Sequence, residues 1–202
     1  ANSLGIKEYL SFSVDSPFDY DEKMEVFLPR FNQNSLEDKL DYVINKIVQS
    51  EGRALILLNN QNELKSLKEK LSGNIPYPVY FEGDEEISTL VSKFQNEEHA
   101  ILCTIHLWEG LDIPGRSLEN VMIFSLPFPP SDPVFTAKRN GVSDPFTDVD
   151  LPYMLLRLRQ GIGRLIRSEH DRGSVHIMLN ENIDSALLQK IKDVLPTEAV
   201  EA

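Results

Sequence analysis

The residues best suited to chemistry are two arginines three positions apart. Arg164 and Arg167 lie in the stretch Gln160-Gly161-Ile162-Gly163-Arg164-Leu165-Ile166-Arg167. In a helix, residues i and i+3 share a face about 5–6 Å apart at Cβ. Two guanidiniums that close repel unless an anion lies between them or carboxylates flank them. Arginine stays charged at any working pH, and its planar fork matches phosphate oxygens. The pair therefore suits the charge that develops on a transferring phosphoryl group. Gly161 and Gly163 conflict with a helix, because each costs roughly 1 kcal/mol there relative to Ala. Either they admit a backbone or nucleotide at close range, or they pack a basic helix face against a sheet.

Something rigid must present that pair, and the upstream pattern supplies it. Residues 24–28 alternate weakly as a short strand, and 29–34 read as a loop. Ser35 stands as an N-cap before Leu36, Leu40, Val43, Ile44, Ile47 and Val48, which recur at helical spacing until Gly52. Residues 53–58 are a near-continuous apolar run, as expected of a strand buried on both faces. Asn59-Asn60 end it, and a helix follows with Leu64, Leu67 and Leu71 inward. Strands are expected at 77–81, 100–104, 120–125 and 174–179, and helices around 87–94, 151–168 and 182–194. Apolar strands alternating with amphipathic helices specify a three-layer α/β/α domain with a mainly parallel sheet. Ligands of such sheets bind beyond the carboxyl ends of the strands, where Asn59-Asn60, Thr104 onward and Ser125 onward lie. Residues 126–150 form a proline-rich segment too long for a simple connection, suited to single-strand contact or to docking another lobe.

Composition narrows the classes. The chain has 202 residues and a net charge of −12, which argues against a surface devoted to duplex DNA without excluding a local basic groove. Its single cysteine, Cys103, rules out an intrachain disulfide framework and a cysteine metal site in this segment; it fits a reducing, cytoplasmic compartment. The histidines show no metal-ligand spacing, so no metal site is expected. No apolar run is long enough to span a bilayer. The chain opens on Ala1 rather than Met, as expected of a piece of a longer protein. It contains no Gly-x-x-x-x-Gly-Lys-Ser/Thr loop, so the phosphates it acts on must be cradled elsewhere.

A second stretch, Thr104-Ile105-His106-Leu107-Trp108-Glu109-Gly110-Leu111-Asp112-Ile113-Pro114-Gly115, resembles motif V of superfamily 2 helicases, and residues 160–167 resemble their motif VI. The Trp-Glu-Gly-x-Asp-x-Pro-Gly string, residues 126–133 and Asp171-Arg172-Gly173 are similar to the DinG branch of the DinG/XPD helicases. Ser16-Pro17-Phe18-Asp19-Tyr20 is similar to the segment that opens the second motor lobe there. The resemblance covers residues 14–195. It implies a lead-in at 1–23, a second RecA-like helicase domain at 24–195 and a tail at 196–202.

The resemblance implies a two-lobed, ATP-driven motor acting on nucleic acid, an ATP-dependent DNA helicase of the DinG type, with this chain inactive alone. The implied cofactors are ATP and Mg2+, both held mainly by the first RecA-like lobe of the same polypeptide. Arg164 and Arg167 match the arginines that reach the γ-phosphate from across the cleft, and Gln160 would help orient it. Gly110, Asp112, Glu109 and Gly163 fall on the nucleotide side. Asn59, Asn60 and Thr104 fall on the single-stranded DNA side, with Asn59-Asn60 standing where the family usually has Thr-Ser. The chain also departs at Leu179-Asn180-Glu181-Asn182, where Leu-Asp-x-Arg is common. Trp108 stacks on a base or fills the core, and Arg157 and Arg159 line a nucleic-acid path or are simply exposed. The competing function is a non-motor RecA-like module for nucleic-acid binding or partner docking.

Overall fold

The computed structural model describes residues 24–51, 53–106, 120–162, 173–196 and 199–200. In chain order these form β1 (Met24–Phe27), β2 (Arg30–Phe31), α1 (Leu36–Ser50), β3 (Ala54–Leu57), α2 (Gln61–Leu71), β4 (Val79–Phe81), α3 (Ile87–Asn96), β5 (Ile101–Thr104) and β6 (Asn120–Ile123). There follow α4 (Pro133–Asn140), a π-helical turn (Phe146–Asp150), α5 (Leu151–Ile162), β7 (Gly173–Ile177), β8 (Leu179–Asn180), α6 (Ser185–Asp193) and β9 (Ala199–Val200).

The main sheet runs β4-β5-β3-β6-β7-β1-β9, and its described pairings are parallel. β3 lies inside the sheet, between β5 and β6, and is wholly buried, which is why its sequence is apolar without alternation. Its residues still part by face. Leu55 and Leu57 join Leu90 and Phe94 of α3, Met154 and Leu158 of α5 and Ile191 of α6. Ala54 and Ile56 join Leu40, Val43 and Ile47 of α1 and Leu64, Leu67 and Leu71 of α2. The result is the expected three-layer α/β/α body.

Local signals explain most boundaries. Asn60 caps α2, its Oδ1 accepting from Glu63 N (2.9 Å). Gly73, just past α2, takes φ +82, a conformation that L side chains rarely adopt. Arg53 is buried at the start of β3 and closes the far end of α3: it donates to Phe94 O (2.8 Å) and to Glu97 O, and its guanidinium lies over the Phe94 ring.

Some expectations are corrected. Ser35 occupies the cap position of α1, but its hydroxyl donates backward to Asn32 O (2.9 Å) and makes no cap bond. The 29–34 loop contains β2, which pairs with β8. The proline-rich segment, too long for a simple connection, carries α4 and the π-helical turn. Asp132 caps α4 by accepting from Phe135 N (2.9 Å), with Pro133 at the start of the helix. Arg139 pairs with Asp150 (2.8 Å), and Phe135 meets Tyr153 of α5 edge-on. Within the expected tail, β9 pairs with β1 and covers its otherwise open edge.

Candidate functional site

The register of the central strands builds one polar rim. Leu57 pairs with Thr104 of β5 on one side and with Ile123 of β6 on the other. All three strands are parallel, so Asn59-Asn60, Thr104 to His106, and Ser125 emerge at the same carboxyl edge. Glu82, one residue past β4, joins them because Phe81 pairs with Cys103.

On the β3–β6 side, Asn59 is held from several directions. Its Nδ2 donates to Ser125 Oγ (3.0 Å) and Leu126 O (2.6 Å), while its backbone N–H donates to Glu63 Oε1 (2.8 Å). Ser125 Oγ donates to Glu63 Oε2 (2.6 Å). Glu63 therefore receives from both strand ends, and its own N–H is received by Asn60: a capping box shifted by one residue. Both amide protons of Asn59 are engaged inside the protein, so Asn59 is not a ready phosphate donor. Asn60 differs. Its Oδ1 is committed to the cap, but the side chain is exposed and its Nδ2 donates to no acceptor among the described residues. Nearby Lys39 lies over the Phe124 ring; its pKa is lowered by partial burial against the opposing pull of Glu63.

On the β4–β5 side, Thr104 is 0% exposed and its hydroxyl donates to Glu82 Oε1. The same oxygen accepts from the N–H groups of Ile105 and His106, each at 3.1 Å, and the His106 ring meets Oε2 through Nδ1. Burial opposes the Glu82 charge, but the hydrogen bonds from Thr104 and His106 outweigh it together, and the carboxyl lies below its ordinary pKa. Thr104, expected at a strand phosphate, thus meets an internal carboxylate. Sequence reasoning passed over both Glu63 and Glu82. The signal for Glu63 was its place three residues after the Asn60 cap; for Glu82 it was an acidic residue at a strand end followed by Gly83.

Gln160 lies in the last turn of α5. Its Oε1 is buried and meets no hydrogen-bond donor among the described residues. Gly161 beside it is buried. Arg164, Arg167, Gly163, Gly110, Asp112, Glu109 and Trp108 lie outside the described residues, as do Ser16 to Tyr20, Gly52, His170 and Arg172.

The other reactive groups are structural. Cys103 is buried and its thiol pKa is pushed well up by burial. His176 is buried between Tyr42 and Asn120. Among the described residues, no three His, Cys, Asp or Glu side chains gather so as to hold a metal, and no helix is long and apolar enough to cross a membrane.

Comparison with known proteins places this architecture. Residues 43–197 match the family described as helicase C-terminal domain. The chain is 56% identical over 200 residues to the probable ATP-dependent helicase YpvA of Bacillus subtilis, covering 98% of this chain and 31% of that protein. It is 33% identical over 219 residues to the 3'-5' exonuclease DinG of the same organism, covering 98% of this chain and 23% of that one. It thus spans under a third of the length of these relatives. Among solved structures, apo XPD superposes with a TM-score of 0.64 at 19% identity over 89% of this chain and 40% of that one, a likeness of fold. Motif order, sheet topology and these matches agree: the chain belongs to the helicase C-terminal domain family, in its DinG-like branch, and is a second RecA-like domain.

Proposed function

We propose that the chain is the second motor lobe of an ATP-dependent DNA helicase, closing on a nucleotide held by a first lobe and gripping one side of a single strand. The observation that carries this reading is the shared rim. The strand register sets Asn60, Thr104 and Ser125 at one edge of the sheet, and the motif V stretch begins on that edge. Family membership and the names of the relatives support the motor rather than a passive module.

In this reading Arg164 and Arg167 reach the γ-phosphate, a contribution worth about 10³–10⁵ in rate. Gln160 presents a buried acceptor that lacks a donor among the described residues, suited to orienting a donor at the phosphate end. Gly110, Asp112, Glu109 and Gly163 complete the nucleotide side. Mg2+ would accompany ATP on the first lobe and neutralise phosphate oxygens there. Asn60 Nδ2 is the available donor to the strand backbone on the β3 side, while Asn59 fixes the turn that presents it.

The test is ATP hydrolysis by the full-length protein with and without single-stranded DNA. Turnover stimulated by the strand, and negligible turnover by this 202-residue chain alone, is the expected result. A full-length protein that binds the strand but never hydrolyses ATP would establish the passive module instead.

A further inference from the structure

The arrangement around Glu82 is that of an anion in a built seat. One oxygen, Oε1, receives the Thr104 hydroxyl and the N–H groups of Ile105 and His106, the latter two at 3.1 Å. The other receives the His106 ring. Consecutive backbone N–H groups converging with a hydroxyl form a concavity that binds anions generally, phosphate included. The seat lies at the carboxyl edge of a parallel sheet, where ligands of such sheets bind. Its occupant comes from the neighbouring strand: Glu82 follows β4, and its backbone N–H is tied to Cys103 O (2.9 Å). The backbone anchor leaves the carboxylate free to turn away without unpairing the sheet. The Glu82 side chain is 13% exposed and the His106 side chain 75%, so the occupied seat borders solvent.

We propose that Glu82 is an internal stand-in for a nucleic-acid phosphate: a phosphodiester of the bound strand displaces its carboxylate from Thr104, Ile105 and His106, and Glu82 sets the affinity at which that exchange occurs. The inference rests on the nucleic-acid reading above and adds to it the group that the strand must evict. A phosphodiester and a carboxylate both present acceptor oxygens with one negative charge, so the same donors serve either. They cannot share the seat, because two anions on three donors repel. The exchange is near-balanced in hydrogen bonds, and the strand's further contacts decide it.

A fixed brace and an exchangeable occupant predict opposite signs. Glu82→Gln keeps the size of the side chain but replaces charge-assisted hydrogen bonds with weaker neutral ones. The full-length protein, titrated with a labelled single-stranded oligothymidine at low salt, should bind roughly tenfold tighter with Glu82→Gln, a change of about 1.4 kcal/mol. Glu82→Ala, which leaves the seat open, should also bind tighter. Adding Thr104→Val to Glu82→Gln should erase most of the gain, because the seat then lacks its hydroxyl. Weaker or unchanged binding by folded Glu82→Gln, or by Glu82→Ala where the first variant does not fold, overturns the exchange and makes Glu82 a brace. If the wild-type protein does not bind the oligonucleotide at all, the nucleic-acid reading falls, and the exchange with it.

Discussion

Acidification should destabilise this domain through one buried imidazole. His176 on β7 is 2% exposed and stacks on Phe27 of β1. Its Nδ1 meets the Tyr42 hydroxyl at 2.8 Å, and its Nε2 meets Asn120 Oδ1 at 3.2 Å. Asn120 Nδ2 donates to Ser50 Oγ (2.7 Å), which donates to Ile47 O (3.2 Å). These bonds form one directed chain when the ring is neutral: Tyr42 donates to Nδ1, and Nε2–H donates to Asn120. Burial, and then the charge of nearby Lys46, lower the His176 pKa from 6.5 to about 4. The unfolded chain therefore takes up a proton that the folded protein refuses. The stability attached to the neutral ring is present above pH 6.5 and is lost as the pH falls from there through 4. A displacement of that size corresponds to about 3 kcal/mol. Urea unfolding of the wild-type chain and of His176→Gln, measured in parallel from neutral pH to below 4, isolates this contribution, because the carboxylates titrate alike in both. The difference in unfolding free energy between the two should shrink by about 3 kcal/mol over that interval. Parallel pH profiles would show that the imidazole is not held neutral by the fold.

Other perturbations follow from single contacts. Asn60→Asp should keep the α2 cap, since either residue accepts from Glu63 N. It should leave stability within about 0.5 kcal/mol yet weaken oligonucleotide binding by the full-length protein roughly tenfold, because a carboxylate replaces a donor. Equal binding would remove Asn60 from the strand side. Glu63→Ala strips the acceptor from Asn59 N and Ser125 Oγ, and chemical denaturation should register a loss of about 1–3 kcal/mol. Arg53→Met should lower stability by about 2–4 kcal/mol, because the carbonyls of Phe94 and Glu97 lose a buried cationic donor; a neutral outcome would mean those carbonyls find other partners. Gly73→Ala meets no atom within 4 Å, so any measured loss, about 1–2 kcal/mol, reports the backbone conformation alone.

The layers of this fold are legible in the sequence because they rest on local pattern. The 54–57 strand reads as buried on both faces from its apolar run, and α2 reads from Leu64, Leu67 and Leu71. What escaped is either too short or buries too little to leave a pattern. Two-residue β9 has no periodicity at all. Helix α4 has no buried residue, so no apolar stripe marks it, although Asp132-Pro133 is a fair start signal. The site divides in the same way. The Asn60 cap is local and can be read. The seat at Thr104 joins residues that only the β4–β5 pairing brings together, and the Asn59–Ser125 bond needs β3 beside β6. Spacing along the chain carries no trace of either. A donor such as Thr104 can be found from its motif, but whether its hydroxyl is already engaged depends on which strand folds next to it.

The most direct measurement is ATP turnover by the full-length protein carrying Arg167→Ala, with nucleotide binding followed alongside. The expected result is a fall in the hydrolysis rate by about 10³-fold or more, with ATP still bound nearly as tightly, because in the proposed motor another lobe holds the triphosphate. Hydrolysis at the wild-type rate would contradict the assignment of this domain as the lobe that supplies the arginine.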